Sequence, residues 1–237
     1  MPSEQTEPLA GAIPVVRRQV LGDGVFDAIR GLLLNGNLQA GDRISVDGLA
    51  RQFGVSPTPV REALARIEAS GLVVREPMRG YKVAPAMSRT DLEELMDARI
   101  LIEPYNAEVA CRLGPEGLVR DLEAVLGVMA NAPLGPGFEQ YRVFLESDQN
   151  FHKLIGRAAG NAYLARAVEG FGGHLRRFSL FGVNGVADAL TALAEHRLIL
   201  EAMKQRRPEE AASAMRDHLK GVRERALVEF DIQRRGR

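Results

Sequence analysis

Leu49-Ala50-Arg51-Gln52-Phe53-Gly54-Val55-Ser56-Pro57-Thr58-Pro59-Val60-Arg61-Glu62-Ala63-Leu64 is the stretch on which the fold turns. Its first part closes a short helix that Ser45 can cap, with Val46, Leu49 and Phe53 on one face and Gly54 as the stop. A new helix follows at once. Ser56 is its cap, Pro57 takes the first helical position, and Pro59 still lies in the first turn, where the amide it lacks has no partner to lose. Val60, Leu64 and Ile67 then form a buried stripe, leaving Arg61, Ala65, Arg66 and Glu68 off it, and Gly71 ends the helix. Two helices joined by so tight a turn must pack across each other.

Upstream, Val25, Ile29, Leu32 and Leu33 recur at helical spacing between about Gly24 and Leu34, with Asn35-Gly36 as a stop and Gln39-Ala40-Gly41-Asp42 as a turn. Downstream, Leu72 to Glu76 and Tyr81 to Ala84 are β-prone segments joined by Pro77-Met78-Arg79-Gly80, which predicts a small hairpin. Helix, helix, tight turn, helix, hairpin is the order of a winged helix-turn-helix. Residues 1–14, with Pro2, Pro8 and Pro14, read as a flexible tail, so this domain is expected over 15–84.

From Pro85 onward the pattern is helical, with no convincing strand. Helices are expected at about 88–112, 116–131, 138–159, 162–181, 187–206 and 208–232, separated by Gly114-Pro115, Pro133 to Gly137, Gly160-Asn161, Gly182 to Gly185 and Arg207-Pro208. The expectation is a mainly α protein: the winged domain followed over 85–237 by an all-helical antiparallel bundle of about six helices.

Composition narrows the function classes. The chain has 237 residues, 46% hydrophobic and 26% charged, with a single cysteine, which fits one or two globular domains and excludes disordered, collagen-like and disulfide-stapled chains. Cys111 alone can close no intrachain bridge, so nothing requires an oxidising compartment. The longest uncharged run, Ala124 to Phe138, is broken by Asn131, Pro133 and Pro136 and is too short to span a bilayer. The opening residues carry no basic segment before an apolar run, so no secretory leader is expected and a cytoplasmic location is the default. Net charge is zero, yet residues 15–84 hold 10 Lys/Arg against 7 Asp/Glu, a mild basic excess that suits a nucleic-acid module without establishing one.

The stretch Leu49 to Leu64, with Leu72 and Arg79-Gly80-Tyr81-Lys82-Val83, resembles the GntR family of bacterial transcription regulators, and the helical remainder is similar to the FadR-type effector domain called FCD. The helix that begins at Pro57 has no bulky apolar side chain in its first turn, so it can enter a major groove about 12 Å wide. Ser56, Thr58 and Pro59 stand at its start, where hydroxyls and unpaired backbone amides can meet phosphates or base edges. Arg61, one turn on and off the core stripe, has the reach for a bidentate contact with a guanine edge. Arg79, Gly80 and Lys82 on the hairpin would approach the flanking backbone or minor groove, and Arg51 would add a phosphate contact. Many GntR members carry arginine where this chain has Pro57, so operator preference does not transfer from them.

In the helical part, Asp148 and His152 lie four apart and share a helix face, while His196 and His218 belong to two further helices. Spacing alone does not make these a site. The resemblance adds that metal-containing FCD proteins carry an Asp and three His at the positions matching Asp148, His152, His196 and His218. Zinc is the first choice for mixed imidazole and carboxylate ligands, with nickel or manganese also suited to the set. Arg99 matches an arginine that FCD proteins tend to direct toward the cavity, where it would bind an effector; an intrahelical pair with Glu103 is the alternative. His174 either lines the pocket or sits on the surface.

The resemblance implies a homodimeric regulator, a repressor, whose two winged domains bind a two-fold symmetric operator on double-stranded DNA and whose operator affinity changes when a small organic acid binds at the metal. No membrane partner is implied. Two other readings use the same residues. One is a metal-dependent enzyme acting on a small organic acid, against which no general base at a fixed offset, nucleophile motif or phosphate loop is visible in the sequence. The other is a direct metal sensor.

Overall fold

The computed structural model describes residues 16–34, 37–69, 71–134, 138–181 and 189–235. The expected tail over 1–14, the Asn35-Gly36 stop, and the loops over 135–137 and 182–185 lie outside them.

The N-terminal elements are α1 (Val16–Leu34), β1 (Arg43–Ile44), α2 (Val46–Phe53), α3 (Pro57–Ala69), β2 (Val73–Glu76) and β3 (Gly80–Val83). Ser45 caps α2, its hydroxyl accepting from the Gly48 amide at 3.0 Å. Gly54 ends α2 at φ 67°, a left-handed conformation that a side chain disfavours, and this turn lets α3 begin within three residues. Val60, Leu64 and Ile67 on α3 meet Val25, Ile29 and Leu33 of α1, Leu49 of α2, and Leu72, Tyr81 and Val83 from the wing in one apolar cluster. The stripe read from the sequence is therefore the core of this unit.

Two differences from the sequence reading appear. The first helix starts at Val16 rather than near Gly24; apolar periodicity fades upstream and Gly22 and Gly24 weaken helix propensity, yet neither breaks the helix. The wing also gains a third strand. β1 pairs antiparallel with β3, Arg43 opposite Lys82 and Ile44 opposite Tyr81, in a sheet of order β1-β3-β2. Two residues are too few to display a period-2 pattern.

Among the described residues six helices follow: α4 (Arg89–Leu113), α5 (Leu118–Ala130), α6 (Phe138–Ala158), α7 (Ala162–Phe181), α8 (Ala189–Lys204) and α9 (Pro208–Arg235). Ser88 and Asp91 close a reciprocal capping box at the start of α4. α4 packs most extensively along α9 and also meets α6 and α7. A second apolar cluster, separate from the first, gathers Leu92, Met96, Leu122, Phe151, Ile155, Ile199, Met215 and Leu219. Between the two units, Arg30 of α1 reaches Glu146 of α6 at 2.7 Å. No described helix is long and apolar enough to cross a membrane.

Candidate functional site

Asp148 and His152 stand one turn apart on α6, and α8 and α9 bring His196 and His218 to them. Phe151, fully buried, packs its ring edge-on at 4.7 Å from the His196 ring centroid and so fixes the imidazole from one side. One ligand atom from each of the four residues lies within 4.8 Å of the others. The Nε2 atoms of His152 and His196 are 3.3 Å apart, and Asp148 Oδ1 is 3.3 Å from His196 Nε2 and 3.9 Å from His152 Nε2.

The outer nitrogens explain this orientation. His196 Nδ1 donates to the Ala192 carbonyl at 2.6 Å, and His218 Nδ1 donates to Glu195 Oε2 at 2.8 Å. His152 Nδ1 lies 2.5 Å from Glu103 Oε2 without hydrogen-bond alignment. Each imidazole thus turns its Nδ1 toward an oxygen outside the cluster and its Nε2 lone pair inward, the arrangement that metal-ligating histidines adopt. Two nitrogens sharing a tetrahedral ion at 2.0–2.1 Å sit about 3.3 Å apart, so the residues fit a divalent cation.

Electrostatics point the same way. Burial pushes His218 down to about 3, only partly offset by its bond to Glu195, so the imidazole is neutral and able to ligate near pH 7. Burial alone would raise the Asp148 carboxyl, but His196, whose Nε2 lies 3.3 Å away, and the neighbouring imidazoles hold it well below the usual carboxylate range. Burial likewise works against Glu103 and Glu195. Arg99 and His152 nevertheless bring Glu103 to about 2, and the bonds from His218 and Arg225 bring Glu195 to about 2.

Three members of this shell escape sequence reasoning: Glu103, Glu195 and Arg225. Glu195 does face away from His196, as its neighbouring position requires, but that direction leads to His218 on α9. Arg225, two turns after His218, grips the Glu195 carboxylate with both guanidinium ends at 2.8 and 2.9 Å. Glu103 was visible only as the i, i+4 partner of Arg99. That pair forms, Arg99 Nε to Glu103 Oε1 at 2.6 Å, with both side chains buried, and Arg99 also lines a crevice beside His152. His174 is exposed on α7 and lies outside the cluster.

At the opposite end, Arg51, Ser56, Thr58 and Arg61 are exposed on α2 and α3, Pro59 is half-buried, and Arg79 and Gly80 are exposed at the wing with Lys82 half-buried. Gly80 has φ 86°, so the turn itself requires glycine there. Arg66 is held by Asp23 at 2.7 Å and lies over the Phe26 ring, which makes it part of the α1–α3 contact.

Residues 21–83 match the model for bacterial regulatory proteins of the gntR family, and residues 94–221 match the FCD domain; FCD domains can bind metals. An HTH-type transcriptional regulator from an unstable DNA locus of Streptomyces ambofaciens is 30% identical, covering 84% of this chain and 81% of the relative. The gluconate operon transcriptional repressor of Bacillus subtilis is 28% identical over 74% of this chain and 72% of its own length. The solved structure of E. coli McbR/YncC, 21% identical, covers 85% of this chain and 94% of its own with a TM-score of 0.61. These relatives are transcription regulators rather than enzymes, which sets aside the catalytic reading of the Asp/His cluster. With a helix-turn-helix domain that exposes its second helix ahead of an FCD bundle that gathers one carboxylate and three imidazoles, the chain belongs to the GntR family of DNA-binding transcription regulators.

Proposed function

We propose that this chain is a FadR-type, metabolite-responsive repressor, with a tail over 1–14, a DNA-binding domain over 15–84 and a metal- and effector-binding, dimer-forming domain over 85–237. Two separate apolar clusters support the division at Pro85. In this reading α3 enters the major groove, Ser56, Thr58 and Pro59 set its first turn against the backbone, and Arg61 reads a base. Arg51, Arg79, Gly80 and Lys82 hold the flanking phosphates and minor groove. The exposure of Arg51, Ser56, Thr58, Arg61, Arg79 and Gly80 supports the assignment.

Asp148, His152, His196 and His218 would hold a divalent cation, zinc first, with nickel and manganese as alternatives; the ion would supply a positive centre for an effector carboxylate. The observation that carries this reading is their convergence, with the outer nitrogen of each imidazole turned to an oxygen. The Arg99 guanidinium, on the crevice wall beside His152, would face the effector. A relative that represses a gluconate operon supports a small organic acid as the effector class. A homodimer would present two recognition helices to a two-fold operator, and the exposed Leu101 and Tyr105, one turn apart on α4, are apolar surface that such an interface would cover.

The test is to select DNA from a random duplex pool with the purified protein, then measure retention of the selected sequence with the protein chelated, zinc-loaded, and zinc-loaded with gluconate or other short acids. A two-fold symmetric sequence released roughly 5- to 150-fold by an acid only in the metal form supports the proposal. Equal retention in all three states overturns the effector reading. Release by zinc alone would make the protein a direct metal sensor, a reading favoured by the deep burial of the three imidazoles.

A further inference from the structure

We propose that Met78, at the tip of the wing, is a specificity-determining residue for operator DNA: its side chain seats in the minor groove as an apolar wedge and favours a duplex that unstacks easily there. The inference rests on the DNA-binding reading of the wing above and adds to it a residue that makes no charged contact.

The pairing of β2 with β3 closes at Glu76 opposite Gly80, so Pro77, Met78 and Arg79 are the whole loop and Met78 is its apex. The Arg79 amide donates to the Glu76 carbonyl at 3.1 Å, which makes Met78 the third residue of a four-residue turn. Its φ is 62°, in the left-handed region that turns normally assign to glycine or asparagine. Either would close the loop with less strain. The side chain gains nothing from the protein in return, since Met78 is 103% exposed. A single apolar residue in solvent is ordinary. One held out at a strained apex is not explained by folding, and strain of this kind collects where a ligand is met. Met87, Met96, Met129, Met203 and Met215, by contrast, are core residues, each no more than 7% exposed.

The surroundings of the tip identify what it meets. Arg75 and Arg79 are exposed beside it and Lys82 is half-buried on β3, so an apolar point stands among three cations, while the neighbouring Glu76 lies 3.9 Å from Lys82. The minor groove of a duplex is the complement of that pattern, two rows of phosphate on either side of a slot about 6 Å wide. Methionine is unbranched and flexible enough to fill such a slot, and it is among the apolar side chains that minor-groove proteins insert at a base step. Insertion partly unstacks the step, which is least unfavourable at pyrimidine–purine steps such as TA and CA. Met78 thereby reads deformability, whereas Arg61 reads a base edge.

The difference in exposure makes the test chemical. Dilute hydrogen peroxide passes one oxygen atom to a thioether sulfur, leaving a sulfoxide and water, and peptide mass spectrometry reads each methionine separately. In the full-length protein Met78 is expected to oxidise well ahead of the five buried methionines. A duplex selected from a random pool is expected to slow it severalfold more than an unrelated duplex does. Selections run in parallel on the wild type, Met78→Leu and Met78→Ala give the second readout. Wild type and Met78→Leu should favour a pyrimidine–purine step, by about fivefold or more over other steps, at a position where Met78→Ala shows no preference. Met78→Gly, which relieves the strained φ, should melt no lower than the wild type and lose the same preference, so the loss is not one of folding. Met78 oxidised equally fast with and without the selected duplex overturns the inference, as does a Met78→Ala selection that matches the wild type. If the wild type still selects a symmetric sequence in either case, only the role of Met78 fails. A wild type that selects no sequence strikes the DNA-binding reading itself, and this inference with it.

Discussion

Arg30 of α1 and Glu146 of α6 join the two units of the chain through a 2.7 Å ion pair, and Glu146 lies two residues before the candidate ligand Asp148. Arg142 shares the same carboxylate at 3.0 Å from its other oxygen. A shift of α6 at the Asp148–His152 turn thus reaches the helix that underlies α3 through one contact. Both partners are partly exposed, so breaking the pair should change stability by no more than about 1 kcal/mol. Glu146→Gln is expected to leave the melting temperature nearly unchanged while shrinking the difference in operator affinity between metal-loaded and acid-bound protein, measured by fluorescence anisotropy. An undiminished difference would show that coupling runs elsewhere.

Arg61 is exposed on α3, and its replacement tests base readout. Arg61→Ala should weaken binding to the selected operator by about 1–3 kcal/mol while affinity for unrelated duplex changes little. Lys82→Ala should instead weaken both and lower the salt dependence by about one phosphate contact. Competition assays over a salt series separate these outcomes, and unchanged selectivity in Arg61→Ala would remove it from the reading surface.

The Glu195 carboxylate is fixed by Arg225 and in turn fixes His218. Partners of this kind typically govern metal affinity by 10–100-fold. Arg225→Gln is expected to weaken zinc binding within that range, read by competition with a coloured chelator, and Glu195→Gln to do so at least as strongly. Wild-type affinity in both would mean that His218 needs no orientation from outside.

Acid should destabilise the chelated protein through His218. Its native value is about 3 against about 6.5 unfolded, so between those limits the unfolded chain binds the extra proton and stability falls as pH falls. Glu103 and Glu195, both held near 2, add to the loss below about pH 4.5, where their unfolded counterparts protonate. Melting temperatures of the chelated protein are expected to be flat above pH 7 and to decline steadily toward pH 4. His218→Gln should lessen the decline between pH 6.5 and 4.5, and an equal slope in that variant would assign the acid sensitivity to other groups.

Much of this was legible before any coordinates. The stripe Val60, Leu64 and Ile67 is local, so its period alone places it in the core, and the caps Ser45 and Gly54 set the ends of α2 through contacts within four residues. The four-residue Asp148–His152 spacing fixed one face of α6 in the same way. What the sequence could not show is pairing across helices. Glu195 meets His218 over 23 residues and Glu103 meets His152 over 49, and no periodicity encodes which distant helix a carboxylate will face. β1 was missed because its two residues acquire strand character only from pairing with β3. Asn106 carries no signal of its own in the sequence, and only the packing around it shows that its amide has no hydrogen-bond partner among the described residues.

The embrace of α4 by α9 also constrains how the protein is made. α4 leaves the ribosome roughly 5–20 s before α9 begins to follow, at ordinary elongation rates, so its inner stripe must wait for the last helix, with Arg89 still lacking the Asp231 that meets it at 2.7 Å. The winged unit, whose cluster is complete by Val83, has no such delay. A nascent chain stalled or truncated before residue 208 would therefore carry a finished DNA-binding head on an unsealed, sticky body, a species that chaperones or proteases would have to clear from the cell's operators.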